Sequence, residues 1–95
     1  MSARTLQPPQ AALLELMRQF ERAIRANDYK ALAREKQQEL RLGLEVYQAV
    51  CSVLPRGDKL PQLVELATTQ AGHTLTQSNA RLLASSLDAL LVSLQ

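Results

Sequence analysis

Few residues in this chain have the type and spacing that chemistry requires. His73 and Cys51 are its only histidine and cysteine, and an active site needs a nucleophile, a base or a metal set gathered in one concave place. His73 stands among threonines with no carboxylate close in sequence, which predicts a surface or half-buried structural histidine. Cys51 follows Val50 one position off a helical seam, where a small thiol serves as packing. A single cysteine allows no intrachain disulfide and no cysteine-based zinc site, and it fits a reducing compartment. Glu35 and Glu39 share a helix face at i,i+4, but no histidine lies at helical spacing to complete the ligand set of a bundle metal site. The residues predict no enzyme, no metal and no cofactor.

Two further patterns have structural explanations. Arg56-Gly57-Asp58 spells a tripeptide resembling the cell-adhesion motif recognised by integrins. The same residues serve a chain reversal, with glycine allowing the turn and aspartate capping the next helix. The basic residues from Arg18 to Arg41 are interrupted by Glu21, Asp28, Glu35 and Glu39 and lack the interleaved aromatics that stack on bases. With a net charge of +2 and 21% charged residues, the chain is too balanced to gain affinity by neutralising many phosphates, so no nucleic-acid partner is expected.

The elements that position these residues are helical. At 95 residues the chain forms one domain. Its apolar fraction of 46% rests on Leu and Ala, with aromatics at 3%. Unbranched residues lose little side-chain freedom in a helix, and the strand-favouring types are scarce. No stretch reaches eighteen consecutive apolar residues and the first ten hold no apolar run, so neither a membrane span nor a signal peptide is expected, and the cytoplasm is the expected location.

Residues 1–8, ending in Pro8, read as a lead-in. Helix one is drawn from 9 to 26 on Leu13, Leu16, Met17, Phe20, Ala23 and Ile24, with Arg18, Arg22 and Arg25 on the opposite face. Asn27 and Asp28 are N-cap types for helix two, drawn from 28 to 54. Its seam runs through Tyr29, Ala33, Lys36, Leu40, Gly43, Tyr47, Val50 and Leu54, and is apolar in its second half. Pro55 to Asp58 turn the chain, with Asp58 as cap and Pro61 in the first turn of helix three, drawn from 59 to 94. The poor helix formers from Thr68 to Asn79 mark either a kink near Gly72 or a break that leaves the helix in two pieces. The expected architecture is an all-α antiparallel three-helix bundle with long second and third helices.

At about 1.5 Å per residue the three helices would span about 27, 40 and 54 Å, so helix three would overhang from about Ser86 to Gln95. After Pro61 the only charges are Glu65, Arg81 and Asp88. That overhang carries Leu87, Leu90, Leu91, Val92 and Leu94 and needs a cover, which makes Leu87, Leu90, Leu91 and Leu94, with Leu82 and Leu83 just before them, the expected partner-binding face.

The segment Ala23 to Leu40 resembles the FlgN family of flagellar type III export chaperones, with an apolar first helix, a polar-Asp-aromatic junction, then Leu and Glu-Lys before a Leu-rich run. Asn79-Ala80-Arg81-Leu82-Leu83, followed by Leu87, Leu90 and Leu94, looks like that family's Asn-x-x-Leu-Leu segment, although Thr76 stands where members often carry Asn. The FliT-like flagellar chaperones are a close second. The resemblance implies a cytoplasmic chaperone in flagellum biogenesis that holds an amphipathic helix of a hook-associated protein for type III secretion, without ATP or metal, by helix-in-groove binding. The alternatives are a small partner protein of a virulence type III system, or a self-associating coiled-coil protein whose overhang is buried by a second copy.

Overall fold

The computed structural model describes residues 9, 11–55 and 57–94, so the lead-in lies outside the described residues. Four α-helices are present among the described residues and no strand: α1 (Ala11–Arg25), α2 (Arg34–Cys51), α3 (Leu60–Ala71) and α4 (Gln77–Ser93), with a 3-10 turn at Tyr29–Ala31. The all-α expectation holds, and the three-helix architecture is corrected to four. Short reversals join successive helices, so they run up, down, up and down, with α1 closing the ring against α4.

The drawn helix three is two helices. The stretch near Gly72 does not kink; it reverses the chain completely. Gly72 N–H reaches back to the carbonyls of Thr68 and Thr69 at 3.2 Å, closing α3. Thr76 then takes an extended backbone (φ −112°, ψ 174°) and its hydroxyl accepts from the Asn79 N–H at 3.2 Å, capping α4. Asn79 also donates its side-chain amide to the Thr74 carbonyl at 3.0 Å, which ties the turn to the helix it starts. From the neighbouring helix, the Gln37 amide donates to the carbonyls of Ala71 (2.8 Å) and His73, supplying partners to carbonyls that a helix end leaves open. Thr68 and Thr69 stay within α3 and donate to the Val64 and Glu65 carbonyls, whereas Thr74 and Thr76 serve the turn and the cap.

Helix two is also shorter than drawn. Asn27 adopts φ 60°, and the Asp28 N–H bonds the Ala23 carbonyl at 2.7 Å, so the Asn-Asp pair terminates α1 and does not start α2. Asp28 makes no side-chain cap bond. The 3-10 turn that follows places Tyr29 in the core, and α2 begins only at Arg34. At its other end α2 stops at Cys51, since Leu54 precedes Pro55, where the helical conformation is disfavoured. Lys59, and not the expected Asp58, is the N-cap of α3; the Asp58 carboxylate one residue earlier accepts from the Leu60 N–H at 2.8 Å, and Pro61 sits in the first turn.

Each helix contributes one stripe to a single core: Leu13, Met17, Phe20 and Ile24 from α1; Leu40, Leu44, Tyr47 and Cys51 from α2; Leu60, Val64, Ala67 and Ala71 from α3; Ala80, Leu83, Leu87 and Leu90 from α4. The α2 stripe differs from the drawn seam, in that Leu44 and Cys51 face inward where Gly43 and Val50 were expected. Gly43 is instead where α1 comes close: a β-carbon there would lie 2.9 Å from Leu13 Cδ1. The α1–α2 edge is the least tightly packed of the four around the ring.

Candidate functional site

The structure separates the residues singled out for chemistry. Cys51 is fully buried at the end of α2, whereas His73 is exposed in the reversal between α3 and α4, at the opposite end of the bundle. Glu35 and Glu39 are exposed, and Glu39 faces Lys36 at 3.9 Å. Among the described residues no three His, Cys, Asp or Glu side chains gather as a metal site. Arg56 of the tripeptide lies outside the described residues, and its neighbour Asp58 is engaged at the start of α3. The arginine stripe of α1 is broken up by carboxylates, with Arg22 on Glu15 at 3.3 Å and Arg25 on Glu21 at 3.4 Å and on Asp88 at 3.6 Å.

The expected partner-binding leucines are redistributed by the reversal at Gly72. Folding α4 back along α3 leaves no overhang, and Leu83, Leu87 and Leu90 become fully buried core residues. They are covered by this chain's own helices, which corrects their assignment to an open face. Leu82 points away from the core and is 52% exposed. Leu91 and Leu94 are half-buried and line a shallow groove of about 310 Å³ with Pro9, Leu14 and Val92, on the α1–α4 edge.

A second exposed apolar surface lies on α2. Two residues along a helix is a rotation of about 200°, so the line Leu42, Val46, Ala49, Val53 runs on the far side of α2 from the buried line Leu40, Leu44, Tyr47, Cys51. Both lines have four-three-four spacing. Val46 is 68% exposed, Val53 in the turn just beyond α2 is 78% exposed, and Leu42 is 48% exposed. No charged residue occurs between Glu45 and Pro55, so nothing on this stretch competes for water in place of the valines.

Toward α1 this seam continues into a shallow depression. Gly43 is its α2 wall, facing Ala12, Leu13 and Leu16 of α1. The depression has a volume of about 450 Å³, with Leu16 and Gly43 among its walls and Gln19, Lys36 and Glu39 at its polar end. Its lining mixes the apolar Ala12, Leu13, Leu16 and Gly43 with Glu15, Gln19, Lys36 and Glu39. The signal was present in the sequence as a second period on α2, hidden because the first period was drawn through Gly43 and Val50, between the two true lines. No helix of the described residues is long and apolar enough to cross a membrane.

No protein-family model matches the chain, and neither a curated protein nor a solved structure matches it.

Proposed function

We propose that the chain is a helix-binding protein of the type III export-chaperone kind, holding an amphipathic helix of a hook-associated or other secreted protein on the outer face of α2. The observation that carries this reading is the uncharged, exposed seam Leu42, Val46, Ala49 and Val53, which lies opposite the core and beside the shallow α1–α2 depression. A single α-helix with two apolar lines on opposite sides buries one in its own bundle and offers the other to a partner. The resemblance of residues 23–40 and 79–83 to the FlgN and FliT chaperones supports the class of partner, and the cytoplasm, where such clients are held before export, is the proposed location. The mechanism needs no covalent step: the client's apolar side chains fill the depression, and its polar face replaces the exposed valines at the surface.

The test is direct binding, by calorimetry, of the purified chain to purified hook-associated proteins of the same organism. Binding by wild type and its loss in V46K/V53K, with helix content unchanged, is the expected result. Absence of binding to every such protein overturns the export role, and binding insensitive to V46K/V53K overturns the face.

A further inference from the structure

We propose that the cavity between the end of α1 and the start of α4 binds an acidic side chain of a partner polypeptide, with Arg81 and the Tyr29 hydroxyl holding the carboxylate. The cavity has a volume of about 490 Å³, in the size range of sites that bury a ligand group. Its floor is apolar: Ile24 of α1 and Ala80 and Ala84 of α4 are buried there, and the two alanines leave depth that longer side chains would fill. The inference stands apart from the reading of α2, which contributes no residue to this cavity.

Tyr29 gives the first sign of a ligand. The 3-10 turn sets it in the cavity wall, and it is 8% exposed. Its hydroxyl bonds no described residue, yet among the described residues no fully buried side-chain polar atom lacks a partner. The hydroxyl is therefore part of the small surface that Tyr29 keeps open, and the cavity is what that surface faces. A donor so nearly buried calls for an acceptor from outside the chain.

Charge defines the acceptor. Arg81 stands on the rim and pairs with no carboxylate of the described residues. Arg25, also on the rim, is held by Glu21 through Nε at 3.4 Å and by Asp88 through Nη2 at 3.6 Å, which fixes its place and leaves Nη1 uncommitted. Neither acid lines the cavity, and no other described acid does. With Arg25 offset by its two partners, the rim keeps the charge of Arg81, which matches a singly charged carboxylate better than a doubly charged phosphate. The carboxylate accepts from the Arg81 guanidinium and from the Tyr29 O–H, and its methylene stem lies on Ala80 and Ala84. Asn27 and Gln77 border the same cavity with side-chain amides that bond no described residue. Each amide carries a donor and an acceptor, the complement of the peptide groups that flank an acidic residue, which makes the occupant a polypeptide and not a free acid.

Amide chemical shifts of the full chain, followed by nuclear magnetic resonance as acetyl-Gly-Ala-Glu-Ala-Gly-amide is added to about 10 mM, test this in the range of weak binding. The peptide should shift Tyr29, Ala80, Arg81 and Ala84 saturably, and its glutamine counterpart should bind at least about tenfold more weakly. Arg81→Gln should weaken the glutamate peptide about tenfold and Tyr29→Phe about threefold, both with the helix content of the wild type. V46K/V53K should bind the peptide as the wild type does. The proposal is overturned by the absence of a saturable shift at these residues, by a glutamine peptide that binds as well as the glutamate one, or by a folded Arg81→Gln variant that binds unchanged. Butanoate or inorganic phosphate that binds at the same residues as tightly as the peptide overturns the polypeptide occupant. Loss of the peptide in V46K/V53K moves the binding to α2 and overturns this site.

Discussion

Gln37 and Thr76 carry the feature that decides the fold, the reversal between α3 and α4. Gln37 reaches from α2 to the last carbonyls of α3, and Thr76 caps α4 through Asn79. Replacing Gln37 by Ala removes both amide bonds, one to the part-buried Ala71 carbonyl and one to the exposed His73 carbonyl; a loss of about 1–2 kcal/mol in denaturant unfolding is expected. Thr76→Ala removes one cap bond and should cost about 1 kcal/mol by the same measurement. His73 lies in the same turn and contributes through its backbone, its N–H to the Gln70 carbonyl and its carbonyl to Gln37, so His73→Ala should stay within about 0.5 kcal/mol of wild type. A drop as large as that of Gln37→Ala would show that the imidazole itself holds the turn.

At the scale of elements, α2 and α4 exchange the roles that apolar content alone suggests. The leucine-rich α4 spends its large side chains inward, and α2, with more charge, leaves apolar ones outside. Leu87→Ala should therefore cost about 2–5 kcal/mol in unfolding free energy, as truncation in a close-packed core does. Leu82→Ala, one helix face away, should cost no more than about 0.5 kcal/mol. The double change Leu90→Lys and Leu94→Lys places a charge at a fully buried position and should abolish the cooperative far-ultraviolet melt, whereas Val46→Lys with Val53→Lys should leave that melt in place. A folded L90K/L94K protein would mean that α4 does not close the core.

For the whole molecule, burial carries the stability and charge does not. Arg22 with Glu15 and Arg25 with Asp88 join exposed side chains, and exposed pairs contribute about 0–1 kcal/mol each. Raising the salt concentration to about 1 M, where screening acts within about 3 Å, should shift the thermal midpoint by only a few degrees. Removing residues 73–95 takes away the helix that supplies Ala80, Leu83, Leu87 and Leu90 to the core. The remaining chain should show no cooperative melt.

Composition and helical period determine the all-α class, the inward stripe of α1 and the start of α3 near Asp58 and Pro61, because each depends on residues within about one helical turn of one another. They also mark the weak stretch from Thr68 to Asn79, but a poor helix former is equally compatible with a kink and with a reversal. The choice fell to Gln37, 34 residues away from Ala71, whose amide satisfies α3's end only when the chain has folded back. The same dependence governs the candidate site. Leu83, Leu87 and Leu90 have a helical period whether they face a partner or the core, and only the return of α4 along α3 assigns them to the core. On α2, two apolar lines of identical spacing lie on opposite sides of one helix. Spacing sets their separation, and the packing of three other helices against Leu40, Leu44, Tyr47 and Cys51 decides that Leu42, Val46, Ala49 and Val53 remain outside.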